Sequence, residues 1–314
     1  MQKVRMGFDL GGTNMRSALV SEDGEVIFSN ECETLAQEEA DKVINRIKNL
    51  IKESVSKAEE KDLQIQSIGI GVPGVIDTDS GIVKSCPNIP HWKNIELGKI
   101  ISEEFGIKTK VDNDVRVTAL GEYYFGAGKG YKNILCVAVG TGIGGGIILN
   151  GEIMRGPSQS MGEIGHITLK KDGPLCGCGN YGCLESLASS LAIIREAKEV
   201  LDKGKSEIME KQLEHGMPIS AYFVTKALHD GDIEAARIMR EVGEWLGIGL
   251  ASVVNLLNPE IIIIGGGVSL AGNVIFNPVK EEIAKRALKI PRELVKVVPA
   301  QLGDSAGMIG ASAL

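Results

Sequence analysis

Three cysteines and a histidine near the middle of the chain have the residue types of a metal site. The thiols are Cys176, Cys178 and Cys183, and His166 lies ten residues before the first of them. Three sulfurs and one imidazole nitrogen suit a tetrahedral Zn²⁺ ion with no open coordination position. The gap between Cys176 and Cys178 is shorter than the usual spacer, and a disulfide within the group would leave one thiol unpaired. We therefore predict a structural zinc site here.

Two carboxylates lie on either side of this cluster in the sequence, at Glu163 and Glu185. A carboxylate accepts hydrogen bonds from hydroxyl groups, and an imidazole nitrogen donates or accepts one. Glu163, His166 and Glu185, held on one metal-bound loop, therefore predict a site for a polyhydroxylated ligand. The alternative is that the two carboxylates are ordinary surface charge.

Glycine-rich turns follow three apolar segments of the chain. Their residues are Gly11, Gly12, Thr13 and Asn14 in the first turn, Gly140, Thr141 and Gly142 in the second, and Gly265, Gly266 and Gly267 in the third. Backbone N–H groups exposed at such turns bind phosphate, and glycine lets the anion come close. The alternative is that these are ordinary tight turns. We predict a phosphate site formed by two hairpins that face each other.

The second turn also fits the spacing G-x-G-x-x-G, which occurs in dinucleotide-binding proteins. In those proteins the glycines open a helix. Here they lead into the apolar run 147–149 and then Asn150-Gly151, a hairpin signal. A Rossmann site is therefore excluded, and the sequence contains no Walker P-loop either.

Acidic residues follow two predicted strands. Asp9 ends the first strand, where its carboxylate would hold Mg²⁺ directly or through water, or alternatively would cap the turn. Asp114 follows Asp112 and Asn113 between a strand and a helix. A carboxylate in this position could accept a hydroxyl proton during phosphoryl transfer, and Asn113 could hold a neighbouring hydroxyl. The alternative is that these residues are helix N-caps.

The composition is that of a globular protein without a basic surface. Of the 314 residues, 43% are hydrophobic and 24% are charged, and the formal net charge is −7. This balance excludes a mainly disordered chain, and nothing basic favours nucleic acid as a partner. No apolar run is long enough to span a bilayer, and the N-terminal segment does not fit a secretory signal. We expect a cytoplasmic protein with no membrane or nucleic-acid partner.

The elements that must position these residues alternate between strands and helices. Hydrophobic periodicity predicts strands at 4–10, 15–20, 25–29, 67–72, 108–111, 133–139, 147–149, 152–154, 260–264 and 295–298. It predicts helices at 36–55, 95–105, 115–125, 184–201, 233–257, 274–288 and 305–314, with residues 202–218 irregular. In the longest helix, Gly243, Gly247 and Gly249 predict the close approach of another backbone.

One order of elements occurs twice along the chain. A strand, a glycine–threonine turn, a second strand, an X-Gly hairpin and a third strand follow one another from residue 4 and again from residue 133. We interpret this as an internal duplication. It predicts two α/β lobes built on the same plan.

These segments resemble the ROK family (repressor, open reading frame, kinase) of sugar kinases, within the actin-like hexokinase superfamily. Residues 139–166 fit the family signature, 9–14 its first phosphate motif, and 176–185 its CGCGxxGCLE zinc segment; 87–92, 112–122 and 302–311 match further blocks. The resemblance implies a two-lobed, hexokinase-like α/β fold with a duplicated ribonuclease H-like core and an interlobe cleft. The expected boundaries are 1–113 with 302–314 for a small lobe, and 114–301 for a large lobe with the zinc-binding loop.

The resemblance also implies the ligands and the roles of residues. It implies ATP and a hexose as substrates, Mg²⁺ and structural Zn²⁺ as cofactors, and a homodimer or higher homo-oligomer. Asp114 looks like the catalytic base, and His166 would bind zinc through one nitrogen and sugar through the other. The sugar ligands would be Gly74, Asn113, Asp114, Glu163, His166 and Glu185. The nucleotide and its metal would contact Asp9, Gly11, Gly12, Thr13, Asn14, Gly140, Thr141, Gly142, Gly266 and Gly267.

The overall likeness favours a glucokinase that forms glucose 6-phosphate from D-glucose. The alternatives are N-acetylglucosamine, mannose or fructose as acceptor, polyphosphate as donor, or a sugar-responsive regulator. Such regulators carry an N-terminal helix-turn-helix domain, which we do not expect because the first strand begins at Val4. The chain departs from the usual family block DNDANAAALGE at Arg116, which replaces a small polar residue. We expect this arginine to alter either the sugar pocket or the domain packing.

Overall fold

Thirteen strands and eleven α-helices make up the chain in a computed structural model that describes residues 1–314. The strands are β1 (Gln2–Leu10), β2 (Asn14–Val20), β3 (Val26–Glu33), β4 (Leu63–Val72), β5 (Val75–Asp77), β6 (Ile82–Ser85), β7 (Lys93–Ile95), β8 (Thr109–Asn113), β9 (Ile134–Val139), β10 (Ile143–Leu149), β11 (Glu152–Ile153), β12 (Ile261–Gly265) and β13 (Lys296–Pro299). The helices are α1 (Ala40–Glu60), α2 (Leu97–Phe105), α3 (Asp114–Phe125), α4 (Leu184–Ala188), α5 (Ser190–Asp202), α6 (Glu207–Glu214), α7 (Ala221–His229), α8 (Ile233–Leu257), α9 (Asn273–Arg286), α10 (Lys289–Leu294) and α11 (Ala306–Ser312). The predicted mixed α/β class is confirmed.

The chain divides into two units. The first contains residues 1–132, 146–161 and 300–314, and the second contains residues 133–145 and 162–299. The predicted lobe boundaries differ from this division chiefly because they assign residues 114–132 and 146–161 to the second lobe. None of the helices combines the length and the apolar character that a membrane span requires.

Two five-stranded sheets have the same strand order. The first runs β3-β2-β1-β4-β8 and the second runs β11-β10-β9-β12-β13, while β5, β6 and β7 form a separate small sheet. In the first sheet β1 pairs antiparallel with β2 and parallel with β4. In the second, β12 pairs parallel with both β9 and β13. This repeated order agrees with the two lobes of the same plan that the duplicated sequence pattern predicts.

The core of the first unit fixes the carboxyl ends of β1 and β8, where candidate acidic residues lie. Phe8 and Leu10 of β1 are fully buried, as are Ile47 and Ile51 on the apolar face of α1. Burial of a large apolar side chain contributes about 1.5–3 kcal/mol, so the position of β1 is strongly determined. Helix α11 lies against the end of β1, because a Cβ on Gly307 would be 2.7 Å from Asp9 Cγ.

Helices α8 and α9 of the second unit pack at the distance that the helix glycines predict. A Cβ on Gly243 would be 2.7 Å from the carbonyl oxygen of Ile275, and one on Gly247 would be 2.9 Å from Val279 Cα. Both neighbours belong to the backbone of α9. The prediction is therefore confirmed for these two glycines, whereas Gly249 contacts leucine side chains instead.

Two parts of the helix prediction are wrong. The predicted helix 184–201 is interrupted at Ser189, and the N–H of Ser190 donates to the carbonyl of Gly140 at 2.8 Å. The segment predicted as irregular contains α6, whose N-cap Ser206 accepts a hydrogen bond from Met209 N at 3.0 Å. The first error comes from a tertiary hydrogen bond, and the second from an N-cap signal that the polar composition obscured.

Candidate functional site

The histidine and the three clustered cysteines come together in the second unit. Their candidate ligand atoms all lie within 4.8 Å of one another. Cys176 Sγ is 3.7 Å from His166 Nδ1, and Cys178 Sγ is 3.8 Å from Cys183 Sγ. Two sulfurs that are each about 2.3 Å from a tetrahedral ion are about 3.8 Å apart. The four residues therefore have both the donor set and the spacing of a tetrahedral metal site.

Tight turns build this cluster from a short stretch of chain. Cys176 N donates to the carbonyl of Asn180 at 2.8 Å, and isolated bridges join Thr168 to Cys183 and Leu175 to Tyr181. Cys176 and Cys183 are buried, whereas Cys178 is exposed. Burial raises the pKa of the Cys176 thiol to about 12, so a thiolate there needs a nearby cation. That requirement agrees with metal ligation.

The predicted hydroxyl-binding residues of the second unit surround the cluster. The Nδ1 atom of His166 faces Cys176, while its Nε2 atom is 4.0 Å from Glu163 Oε2. Glu185 places Oε1 3.4 Å from Cys176 Sγ, and its Oε2 accepts a hydrogen bond from Ile143 N at 3.0 Å. Glu163, His166 and Glu185 are thus brought together, and the two nitrogens of His166 face different partners.

The second glycine turn is tied to this cluster through Glu185. A Cβ on Gly142 would overlap the Oε2 atom of Glu185, so a larger residue there would displace that carboxylate. By contrast, a Cβ on Gly140 would meet nothing within 4 Å, and Thr141 is exposed. The turn therefore has one residue fixed by the protein and an open side that a ligand can approach.

The third glycine turn lies beside the second. It leaves β12, whose Gly265 pairs with Ala138 of the parallel strand β9. Gly266 has φ +85°, and a Cβ there would overlap the backbone of Val139, whereas one on Gly267 would meet nothing within 4 Å. The second and third turns thus leave the carboxyl ends of neighbouring parallel strands, where ligands of α/β proteins commonly bind.

The first glycine turn connects β1 to β2 in the first unit. Gly11 N donates to the carbonyl of Asn14 at 2.9 Å, and Thr34 Oγ1 donates to the carbonyl of Gly11 at 2.7 Å. Gly12 is half-buried, and the side chains of Thr13 and Asn14 are exposed. The turn is held rigidly while its tip remains accessible.

Asp9 lies just before this turn, in surroundings that disfavour its ionised form. Burial raises its pKa from 3.8 to about 6, and the negative charge of Asp114 adds to the rise, while Arg16 partly offsets it. Two carboxylates close enough to interact in this way favour a bound cation. Asp9 therefore fits the predicted role of a Mg²⁺ ligand.

Asn113 and Asp114 lie where β8 ends and α3 begins. Asn113 is the N-cap of α3: its Oδ1 accepts from Val115 N at 3.0 Å and from Arg116 N at 3.2 Å. Its Nδ2 donates to the carbonyl of Gly74 at 3.2 Å, which brings these two predicted sugar ligands together. Asp114 is half-buried, and its Oδ1 accepts from Val115 N at 2.9 Å.

Arg155 contacts the site but was not predicted from the sequence. Asp112, which precedes the N-cap, is buried and accepts hydrogen bonds from both Arg155 and Arg116. The departure from the family block at Arg116 is thus part of a buried ionic cluster in the first unit. A lone arginine after the apolar pair Ile153-Met154 was the available signal for Arg155.

The predicted residues form two groups, one in each unit. The first unit holds Asp9, Gly11, Gly12, Thr13, Asn14, Gly74, Asn113 and Asp114. The second holds Gly140, Thr141, Gly142, Glu163, His166, Cys176, Cys178, Cys183, Glu185, Gly266 and Gly267.

Known proteins resemble this chain over its whole length. The ROK family pattern matches residues 5–314. A glucokinase of Thermotoga maritima is 37% identical over 315 residues, which cover 100% of this chain and 98% of that protein. The ROK family glucokinase from Streptomyces griseus, solved with glucose and AMPPNP, is 32% identical with a TM-score of 0.84, covering 99% of this chain and 98% of that one. A ROK family transcriptional regulator, a homologue of Escherichia coli Mlc, is 31% identical with a TM-score of 0.89, covering 99% of this chain and 77% of the regulator.

Proposed function

The chain belongs to the ROK family, and from this membership we propose that it is an ATP-dependent hexose kinase whose main acceptor is D-glucose. The glucokinases of two organisms, at 37% and 32% identity, support sugar phosphorylation. The preference for glucose rests on these relatives, because discrimination among hexoses depends on contacts to one or two hydroxyl groups.

The observation that carries the proposal is the position of Asp114. Its carboxylate is half-buried at the carboxyl end of a parallel strand, next to the N-cap Asn113. A hydrogen bond from Val115 N to Oδ1 fixes the orientation of the carboxyl group. This is the environment that a general base at a substrate site requires.

The proposed reaction forms a bond between a sugar hydroxyl oxygen and the γ-phosphorus of ATP. The bond between that phosphorus and the β–γ bridging oxygen breaks, and ADP leaves with the electron pair. Asp114 accepts the hydroxyl proton as the new bond forms. Asn113 retains one N–H of its amide beyond the bond to Gly74, and we assign that N–H to a second sugar hydroxyl.

We assign Glu163, Glu185 and the Nε2 atom of His166 to sugar hydroxyl groups as well. Glu163 is exposed and can accept from hydroxyls. When Nδ1 of His166 ligates a metal, the proton of a neutral imidazole resides on Nε2, which then donates a hydrogen bond. The geometry of this ring, with Nδ1 toward Cys176 and Nε2 toward Glu163, supports that division of roles.

The cofactors in this proposal are Mg²⁺ and Zn²⁺. Asp9 would hold Mg²⁺, which neutralises the charge of the nucleotide phosphates. His166, Cys176, Cys178 and Cys183 would hold Zn²⁺, because three thiolates and an imidazole are the ligands this ion prefers. We further propose that the phosphates contact the glycine turns, and that the adenosine contacts Gly266 and Gly267.

The test is Asp114→Asn, which keeps an acceptor for Val115 N but cannot take a proton. We expect kcat to fall by a factor of about 10²–10⁴, with the glucose Kd changed less than about threefold. ADP release would be measured with glucose, mannose, fructose and N-acetylglucosamine, and polyphosphate would replace ATP in a parallel series. Turnover near that of the wild type would refute the role of Asp114.

The similarity to a regulator gives a second candidate function, sugar-responsive binding to duplex DNA. A gel-shift assay with and without glucose distinguishes the two. Specific duplex binding together with no ADP release for any hexose would replace the kinase proposal. A homodimer stays a prediction, which light scattering on the purified protein would measure.

A further inference from the structure

We propose that Arg116 is a positioning residue, which acts through Asp112 to hold the start of α3 against the segment 155–161. The inference rests on the proposed function, because the start of α3 carries Asn113 and Asp114. It concerns a residue that touches neither of the proposed substrates. Its effect would be on the placement of the base.

Asp112 joins Arg116 directly to the backbone of the proposed site. Its Oδ1 accepts from Arg116 Nε at 2.6 Å and from Asn113 N at 2.7 Å. The side chains of Asp112 and Arg116 are only 1% and 4% exposed. Water cannot replace these bonds, so the position of the Asn113 N–H depends on where Arg116 holds the carboxylate.

Charge neutralisation does not account for Arg116. The Oδ2 atom of Asp112 already accepts two hydrogen bonds from Arg155, at 2.9 Å from Nε and 2.7 Å from Nη2. That paired arrangement balances the carboxylate by itself. Arg116 therefore adds a second positive charge to the cluster, and its buried Nη2 has no hydrogen-bond partner. Both features cost stability, so a role in geometry is the better explanation.

The remaining nitrogen of Arg116 holds a second segment of chain. Its Nη1 donates to the carbonyl of Gln159 at 2.8 Å. Gln159 has φ +60°, a left-handed conformation that is uncommon for a residue other than glycine, and its side-chain Oε1 accepts from Thr78 Oγ1 at 3.0 Å. Arg116 and Thr78 thus secure the same strained residue from two sides.

This segment is adjacent in the chain to a proposed sugar ligand. It begins at Arg155, which binds Asp112, and ends at Met161, whose N–H donates to the carbonyl of Arg155 at 3.0 Å. Glu163 follows two residues later. The guanidinium of Arg116 therefore fixes the position of both the start of α3, which carries the proposed base, and the segment that precedes Glu163 in the chain.

The first test compares Arg116→Met with Arg286→Met. Arg286 is a control for the ion-pair geometry, because its Nε also donates at 2.6 Å to a buried carboxylate four residues away, that of Glu282, although its own side chain is half exposed. We expect Arg116→Met to lower kcat with glucose at least tenfold, with the KM for ATP within twofold of wild type. Arg286→Met is expected to keep kcat within twofold.

The second test uses variants that retain the fold if Arg116→Met does not. Lysine has a single charged nitrogen, so it cannot donate to Asp112 and Gln159 from separate nitrogens of one planar group as arginine does. Arg116→Lys is therefore expected to lower kcat about threefold to tenfold. Thr78→Val is expected to lower it about twofold. In the double variant Arg116→Lys with Thr78→Val, the loss should be smaller than the product of the two, because both residues hold Gln159.

Three results would overturn the inference. The first is a wild-type kcat in Arg116→Lys. The second is a loss of kcat in the double variant equal to the product of the two single losses. The third is an equal loss of kcat in Arg116→Met and Arg286→Met. Any of these with an inactive Asp114→Asn enzyme would leave the proposed function standing. Activity retained in Asp114→Asn would instead refute the role of Asp114 as the base, and the absence of ADP release by the wild-type protein for every hexose would remove the proposed function.

Discussion

Replacing Asp9 with asparagine is expected to stabilise the protein while it removes kinase activity. Burial and the negative charge of Asp114 raise the pKa of Asp9 from 3.8 to about 6, against the opposite effect of Arg16. Asparagine has nearly the same shape and carries no charge. The variant therefore removes the cost of ionising this side chain and also removes the proposed Mg²⁺ ligand.

The size and the sign of the effect follow from linkage. The folded protein keeps a proton on Asp9 up to a pH of about 6, whereas the unfolded chain loses it near 3.8. This contribution to stability is complete below the unfolded pKa and is lost as the pH rises through about 6. The rise in pKa is worth about 3 kcal/mol. For a chain of 314 residues that unfolds in one transition, Asp9→Asn should raise Tm by about 4 °C at pH 7.5.

Thermal unfolding in buffer without Mg²⁺ or chelator, at pH 7.5 and at pH 5, measures this difference without removing the proposed Zn²⁺. The gain at pH 5 is expected to be about half of that at pH 7.5, because Asp9 is then mostly protonated in the folded state. Asp79→Asn, at an exposed carboxyl of the same unit, is the control and should change stability by less than about 0.5 kcal/mol. A gain that does not depend on pH, or a loss of stability at pH 7.5, would show that burial of the Asp9 charge is not the cause.

Three further predictions concern the second unit. Elemental analysis should find one Zn²⁺ per chain. Compared with protein in free zinc at about 1,000 times Kd, chelation should lower the free energy of unfolding by about 4 kcal/mol. An unchanged free energy of unfolding would exclude a structural ion. Gly140→Ala should raise the KM for ATP with little change in Tm, whereas Gly142→Ala should lower Tm because its Cβ overlaps Glu185. A lower Tm for Gly140→Ala and an unchanged Tm for Gly142→Ala would contradict the assignment of the open side of the turn. Gly247→Val should lower the free energy of unfolding in urea by about 1–3 kcal/mol because it separates α8 from the α9 backbone. Gly249→Ala, whose Cβ would meet only leucine side chains, should lower it less. Equal losses would argue against backbone contact at Gly247.

Elements with strong local signals were predicted well. The helix predicted at 233–257 has the bounds of α8, and the helix predicted at 115–125 differs from α3 by one residue. Their apolar residues recur at helical spacing, and Asn113 and Asp232 supply N-cap side chains. The short strands β5, β6 and β7 were missed because three or four residues carry no detectable periodicity, and these strands form by pairing with one another.

The sequence by itself determined the chemistry that the protein can perform. It placed three thiols and His166 in one segment, put a carboxylate at the end of a strand, and duplicated a pattern of strands and glycine turns. These features are local, because residue type, spacing and periodicity are all read within a few turns of chain. The structure brings candidate ligand atoms of the three thiols and His166 within 4.8 Å of one another.

Only the tertiary structure decided which groups interact when they are far apart in the chain. The pKa of Asp9 depends on Asp114, more than a hundred residues away. Asp112 meets Arg155 and Glu185 binds Ile143 N because strand pairing and helix packing carry distant residues into contact. A buried charge, an N–H without a partner on Arg116 or a glycine in contact with a distant carboxylate has no signature along the chain, since each is a property of what surrounds the residue.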